Sequence, residues 1–321
     1  MAEATRKFKL TMPGSQVVQK FYLDSDNTAY ALQMYGDSGK NMKLCYGTIG
    51  PNQTKINFTN PGFTQMNLFN FGHGQTFEPF TDSDGNKWAW VATYASSKEP
   101  DSLGAYWASR IGVIKLDGQD KNASDVPAIT YLNYLGTGDK PKNMSMHRVD
   151  AALSSDKTRL AIWTQGSGSA KTEDKRITAL NAQPLFEALQ SGNVNAKTDP
   201  RMVKGGSFYV SSRNIKDYVY PQNSWQGMEL SDKRLPENGG YNWLYFTSGQ
   251  ANAGSKPMII RSPWNILGST PVERVITFSD LSGAVEIEAP QLTGKYILFG
   301  IEQGPAGNKT HYIYRVEKSI F

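Results

Sequence analysis

Three features of the sequence predict an all-β fold: strand-forming residues dominate, helical periodicity is confined to one short window, and one strand–turn–strand pattern recurs five times. Repeating such a unit around an axis hides the sheet edges that an open stack would expose. The expectation is therefore a five-bladed β-propeller, closed by the N-terminal strand and forming a single domain over residues 1–321. A pair of β-sandwiches is the rival arrangement.

Each unit opens with a short strand that holds a polar residue and, three positions on, an acid. A tight turn, an aromatic-rich strand, a loop and further strands follow. The clearest copy, blade 71–136, runs Gln75-Thr76-Phe77-Glu78, turns at Asp82-Ser83-Asp84-Gly85-Asn86, and continues Lys87-Trp88-Ala89-Trp90-Val91-Ala92. Blade 144–213 runs His147-Arg148-Val149-Asp150, turns at 154–158, and continues Arg159-Leu160-Ala161-Ile162-Trp163. Blade 222–279 runs Gln226-Gly227-Met228-Glu229, turns within 231–240, and continues Tyr241-Asn242-Trp243-Leu244-Tyr245-Phe246. Blade 283–321 runs Val285-Glu286-Ile287-Glu288, turns at Thr293-Gly294, and continues Lys295-Tyr296-Ile297-Leu298-Phe299. A weaker copy, blade 14–70, starts Gln19-Lys20-Phe21-Tyr22, turns at 24–27 and continues at 29–33.

Third strands are expected at 42–46, 110–116, 176–180, 257–261 and 311–316, and fourth strands at 129–135, 207–212 and 274–278. The last unit ends near Phe321 with no room for a fourth strand. Residues 7–12, however, precede the first unit as a spare strand, expected to complete the last blade. One helix of two turns is expected at 183–189, with Asn181 as its N-cap and Gly192 beyond its end.

Apolar residues are 39% of the chain and charged residues 20%, which excludes a disordered tail or a coiled coil. The one cysteine, Cys45, stands in a strand-like context, so a buried, inert thiol is expected rather than a nucleophile or metal ligand. No window is long enough to span a membrane, and the first ten residues lack the apolar stretch of a secretory signal. The net charge of +5 is mild and spread; it suits adsorption to anionic polymers, or only solubility. Nucleic-acid recognition would need a basic face interleaved with aromatics, and none is present.

In a propeller the first strand of each blade lines the central channel. Gln75, His147 and Gln226 would converge there, with Gln19 beside them, together with the acids Glu78, Asp150, Glu229 and Glu288. Residues three apart on a strand face opposite ways, so only one set points inward at a given depth. Two readings follow: a polar mouth that holds a cation or glycan, or hydrogen bonds that stitch neighbouring blades. No catalytic residue, metal site or cofactor is assigned. The three histidines, His73, His147 and His311, fit no metal-ligand spacing, and no Gly-x-Ser-x-Gly elbow occurs. His147 with Asp150 is the best base-like pair, though the strand separates them, and converging carboxylates would leave a hydrolase open. The segment 82–86 opens like a calcium loop but lacks the closing glutamate, and a hairpin turn explains it more simply. Trp88, Trp90, Trp163 and Trp243 fall on blade strands and are expected to pack. Trp107, Trp225 and Trp264 lie at strand ends or loops and are the candidates for a surface aromatic that stacks on a sugar.

Five further segments carry a resemblance. They are Gly72-His73-Gly74-Gln75-Thr76-Phe77-Glu78, Tyr106-Trp107-Ala108-Ser109-Arg110-Ile111, Ile129-Thr130-Tyr131-Leu132-Asn133, Met146-His147-Arg148-Val149-Asp150-Ala151-Ala152-Leu153-Ser154 and Gln226-Gly227-Met228-Glu229-Leu230. In this order they resemble the helveticin J family of large, heat-labile bacteriocins. The resemblance implies a secreted antibacterial protein of lactic-acid bacteria that acts on the envelope of related species; it implies no catalytic residue. Phe77 departs from it, standing where the family tends to have Trp, and Arg148 stands where it has an acid or Ala. The function expected is that of a secreted, cofactor-free protein that binds a bacterial cell-wall polymer or surface receptor, carbohydrate included. A glycan-binding lectin or adhesin, and a cell-wall glycan hydrolase, are the alternatives.

Overall fold

Nearly every run of alternating apolar and polar residues becomes a strand, and the strands assemble into meandering antiparallel sheets. The computed structural model describes residues 1–36, 39–96, 106–136, 143–166, 174–214, 224–232, 242–250, 256–264, 271–305 and 307–321. The chain divides into a middle unit, residues 36–42 and 67–219, and a terminal unit, residues 1–35, 43–66 and 220–321.

In the middle unit the first sheet runs Phe77–Thr81, Lys87–Ala95, Ala108–Lys115 and Ala128–Thr130, each strand antiparallel to the last. Its first hairpin closes as a turn because the Asp82 carboxylate accepts N–H bonds from Asp84 and Asn86 and the Trp88 indole N–H at 2.8 Å. Gly85 takes the left-handed backbone, φ 81°, that this turn needs. Both Asp82 oxygens are thereby engaged within the hairpin, as a turn requires. The second sheet runs Met146–Leu153, Arg159–Gly166, Lys175–Asn181 and Tyr209–Asn214.

The expected helix forms at Ala182–Leu189 and buries Leu185, Phe186 and Leu189. Phe186 stands edge-on to Phe80 and Trp88 in a core that also holds Trp90, Ile111, Leu153 and Ile162. Asn181 occupies the N-cap position without making the expected capping bond. Its side chain instead accepts from Arg159 and donates to the Ser207 carbonyl.

The terminal unit holds a sheet of Met228–Leu230, Trp243–Ser248, Met258–Pro263 and Val272–Thr277. A longer run places Asn41–Thr48, Thr28–Tyr35 and Val18–Leu23 in order. It then crosses one parallel bridge, Lys20 to Ala289, and continues through Val285–Thr293, Tyr296–Gln303 and Thr310–Glu317. Thr5–Thr11 pairs antiparallel with Thr310–Glu317, from Thr5 opposite Arg315 to Leu10 opposite His311. The N-terminal strand thus becomes the fourth strand beside the last three, as strand counting predicts. Phe8 and Leu10 from this strand are buried with Phe21, Cys45, Phe58 and Ile313. Burial pushes the Cys45 thiol up to about 12, which fits an inert packing role.

Four outer edges carry a short parallel strand: Ala2–Glu3 on Val272–Thr277, Lys55–Asn57 on Thr5–Thr11, Lys121–Asn122 on Thr64–Phe69, and Val194–Asn195 on Ala128–Thr130. Such cover satisfies edge N–H and C=O groups that would otherwise invite another chain. The fourth strand expected at 129–135 stops early. Tyr131 takes a left-handed backbone, φ 56°, and Leu132–Tyr134 become a 3-10 turn. Most of the turn expected within 231–240, residues 233–240, lies outside the described residues.

Candidate functional site

The polar residues of the first strands form one buried cluster in each unit. In the middle unit, Asp150 is 1% exposed. Its Oδ1 accepts the Gln75 backbone N–H at 2.7 Å and the Thr76 hydroxyl at 3.3 Å. Its Oδ2 accepts Nη2 of Arg148 at 2.9 Å, and the same guanidinium nitrogen donates to Gln75 Oε1 at 2.9 Å. The Thr76 hydroxyl in turn accepts the Ala151 N–H, so two neighbouring first strands are joined through side chains. Glu78 is fully buried on the same opening strand.

Arg148 is the centre of this cluster, and the spacing argument did not single it out. Arg148 and Asp150 are two apart and therefore share a strand face. His147 and Asp150 are three apart and do not. A β-bulge between Met146 and Arg148 leaves His147 out of register. His147 is half-buried with its ring 5.7 Å from Trp107. Asp150 is paired with Arg148, its neighbour on the same strand face.

Aromatic rings enclose the Arg148 charge. Its guanidinium carbon lies 3.9 Å from the Trp107 ring centroid and 5.1 Å from that of Trp163. His73 stacks on Trp107 with centroids 4.2 Å apart and planes 13° from parallel. Two groups this close to one indole leave no room on a single face, so Trp107 is held between histidine and guanidinium. Backbone bonds from His73 N–H to Tyr106 and from Ala108 N–H to His73 fix the stack. Burial, with the Arg148 charge beside it, lowers the His73 imidazole to about 3 and keeps it neutral.

The terminal unit repeats the device with lysine. Lys20, 1% exposed, donates to Glu229 Oε1 at 2.8 Å and to the Pro290 carbonyl at 2.6 Å. Gln19, just before it, sits in a bulge like that at His147. Gln226 donates to Glu286 Oε1 at 3.1 Å, and Lys309 meets the other Glu286 oxygen at 3.4 Å. Glu288 is buried, and its backbone carbonyl accepts the Thr247 hydroxyl. His311 lies 2.5 Å from Glu302 across adjacent strands; burial raises the Glu302 carboxyl, and the histidine opposes that shift.

Among the candidate acids, Asp150 and Glu229 are neutralised partners of buried cations. The bonds drawn by Asp150, Gln75, Gln226 and Glu229 join neighbouring strands. The surface aromatics divide. Trp107 is half-buried inside the His73–Arg148 stack. Trp225 and Trp264, expected at the surface, are 3% and 5% exposed, and Trp225 stacks on Phe246. Loop position places these indoles in the chain but does not decide whether a neighbour covers them. Among the described residues no group of three acidic, histidine or cysteine side chains could hold a metal.

The family model of bacteriocin helveticin-J matches residues 2–171, more than half of the chain. The chain belongs to the helveticin J family. No curated protein sequence matches this helveticin J-family chain. Among solved structures it is similar to the tail fibre of Staphylococcus aureus phage P68, at 13% identity and a TM-score of 0.62. That match covers 99% of this chain and 53% of the tail-fibre chain, so the family member spans about half its neighbour's length. It is also similar to an exo-β-1,3-galactanase from Phanerochaete chrysosporium, solved with β-1,3-galactotriose. The identity there is 8% and the TM-score 0.50, covering 100% of this chain and 65% of the other. At these identities the likeness is one of all-β fold. No helix among the described residues of the helveticin J-family chain is long and apolar enough to cross a membrane.

Proposed function

We propose that the protein is a secreted, bacteriocin-like antibacterial protein that binds the cell envelope of related bacteria and does not cleave it. The family match over residues 2–171 carries this reading. The buried ion pairs of Asp150 and Glu229 support its non-catalytic part, because a general acid or base has to reach a proton on the substrate. The partner is a cell-wall polymer or surface receptor, and the net charge of +5 favours an anionic one.

Spotting the purified protein on lawns of related bacteria is expected to give clear zones, and the protein is expected to be retained on their isolated cell walls. Retention without a zone across a broad panel would favour the second reading, a lectin or adhesin, which the fold likeness to a phage tail fibre supports. Release of muropeptides or sugar fragments, lost in Glu78→Gln or Glu229→Gln, would overturn both in favour of a hydrolase.

The scaffold for this binding is one five-bladed ring over residues 1–321, clasped by the N-terminal strand. The pairing of Thr5–Thr11 with Thr310–Glu317 and the recurring four-strand antiparallel meanders support it. One compact ring of this length has a radius of gyration of about 20 Å. Small-angle scattering is expected to return that value; a markedly larger one would mean two separately moving units.

A further inference from the structure

Six non-glycine residues of the described chain have a left-handed backbone, and two of them are tyrosines: Tyr94, φ 66°, and Tyr131, φ 56°. Asparagine tolerates this conformation; a bulky aromatic is strained in it. Both tyrosines are also exposed, 40% and 54%, so burial does not offset the strain. Residues held in such strained backbones cluster at active sites and ligand clamps.

Tyr131 lines an open groove of about 460 Å³ on the middle unit, together with Ser109, Arg110, Thr130, Asn133 and Asn193. Tyr94 stands behind Arg110, whose guanidinium carbon lies 3.6 Å from the tyrosine ring centroid. The Ser109 hydroxyl donates to the Tyr94 carbonyl at 2.8 Å and holds that strained backbone in place. Arg110 is thus positioned by an aromatic face, and it makes no ion pair with any described residue.

The two amides are oriented by their own bonds. Asn193 Oδ1 accepts the Ala128 N–H at 2.9 Å, which leaves the amide NH2 available. Asn133 donates through Nδ2 to Asn143 at 2.5 Å, which leaves its oxygen available. The groove therefore offers one aromatic face, one cation, one amide donor and one amide acceptor. A sugar ring needs a flat apolar surface for its C–H face and mixed donors and acceptors for its hydroxyls. A guanidinium adds two-point recognition of a carboxylate or phosphate.

We propose that this groove binds an acidic saccharide unit, the ring on Tyr131, the anionic group on Arg110 and the hydroxyls on Asn133 and Asn193. The proposal rests on the envelope-binding reading and names the chemistry that the envelope would present. The test is calorimetric titration of the full chain with three soluble probes: an oligogalacturonate, a phosphorylated maltooligosaccharide and a neutral maltooligosaccharide. Binding to one of the two anionic probes identifies the acid as carboxylate or phosphate, and the neutral probe is expected not to bind. Arg110→Gln and Tyr131→Asn are each expected to weaken binding at least about tenfold. Asparagine accepts the left-handed backbone, so Tyr131→Asn keeps or raises the melting temperature and separates ligand loss from unfolding. Equal binding of the neutral probe, no binding of either anionic probe, or unchanged affinity in both variants overturns the proposal. Retention on isolated cell walls keeps the two ideas apart. Wild-type and variant protein retained alike leaves the envelope reading standing and removes this groove from it, whereas an unretained wild type removes the envelope reading itself.

Discussion

An Asp150→Ala variant is expected to lose about 3–5 kcal/mol of folding stability, because it strips the counter-charge from a buried guanidinium. Arg148 is 5% exposed and has Asp150 as its ion-pair partner. The same substitution removes the acceptor for the Gln75 N–H and the Thr76 hydroxyl, which also lie in the interior. Coulomb attraction in the pair does little more than offset the cost of taking both charges out of water. What is destabilising is one charge left alone. Arg148→Met combined with Asp150→Ala is therefore expected to recover a large part of the loss. Urea unfolding of the two single variants and the double variant measures this coupling. Strictly additive losses would show that Arg148 finds water when Asp150 is gone, and the cluster would then not be the closed network described above. The Lys20–Glu229 pair obeys the same logic in the other unit.

Below pH 6.5 stability is expected to fall by up to about 1.4 kcal/mol per pH unit on account of His73 alone. In the folded chain its imidazole is lowered to about 3, first by burial and then by the Arg148 charge. In the unfolded chain it titrates near 6.5. Between these values the unfolded chain takes up a proton that the native state refuses, so acid favours unfolding. The contribution is complete above pH 6.5 and is lost progressively as pH falls toward 3, to at most about 5 kcal/mol. Carboxylates also titrate in acid, so the informative quantity is a difference. His73→Gln should flatten the decline of the urea midpoint between pH 6.5 and 4.5 relative to wild type. Parallel curves would show that a proton reaches the stacked imidazole in the native state.

The repeat was legible because it is written in local signals: period-two apolar alternation, turn residues at 82–86 and 154–158, and aromatic central strands. The pairing of Thr5–Thr11 with Thr310–Glu317 was legible by counting strands, since a sheet lacking an outer strand and a spare strand at the start imply each other. Which side chains point inward was not legible. A bulge shifts the phase of alternation by one residue: the bulge at His147 hands the interior to Arg148, and the one at Gln19 buries Lys20 beside it. The spacing Arg148-x-Asp150 held the correct signal once faces were counted by twos. Trp225 and Trp264 were misplaced because exposure in a loop depends on what folds over it. The early end of the strand at Thr130 was hidden for another reason: nothing in a tyrosine's identity announces a left-handed backbone.

The pairing of the two chain ends also sets an order of events during synthesis. Thr5–Thr11 leaves the ribosome roughly 300 residues before its antiparallel partner, Thr310–Glu317. Ala2–Glu3 likewise waits for Val272–Thr277. At about 5–20 residues per second, roughly 300 residues of translation keep the opening strand waiting for 15 to 60 s or so. For that time the faces of Phe8 and Leu10 stay in water, and the strand's hydrogen-bonding groups stay unpaired. The last sheet therefore forms only after its final strand is released, as a slow, long-range step. Any process that needs this chain unfolded has a natural interval before that step; once the two strands have met, the sheet must be pulled apart first.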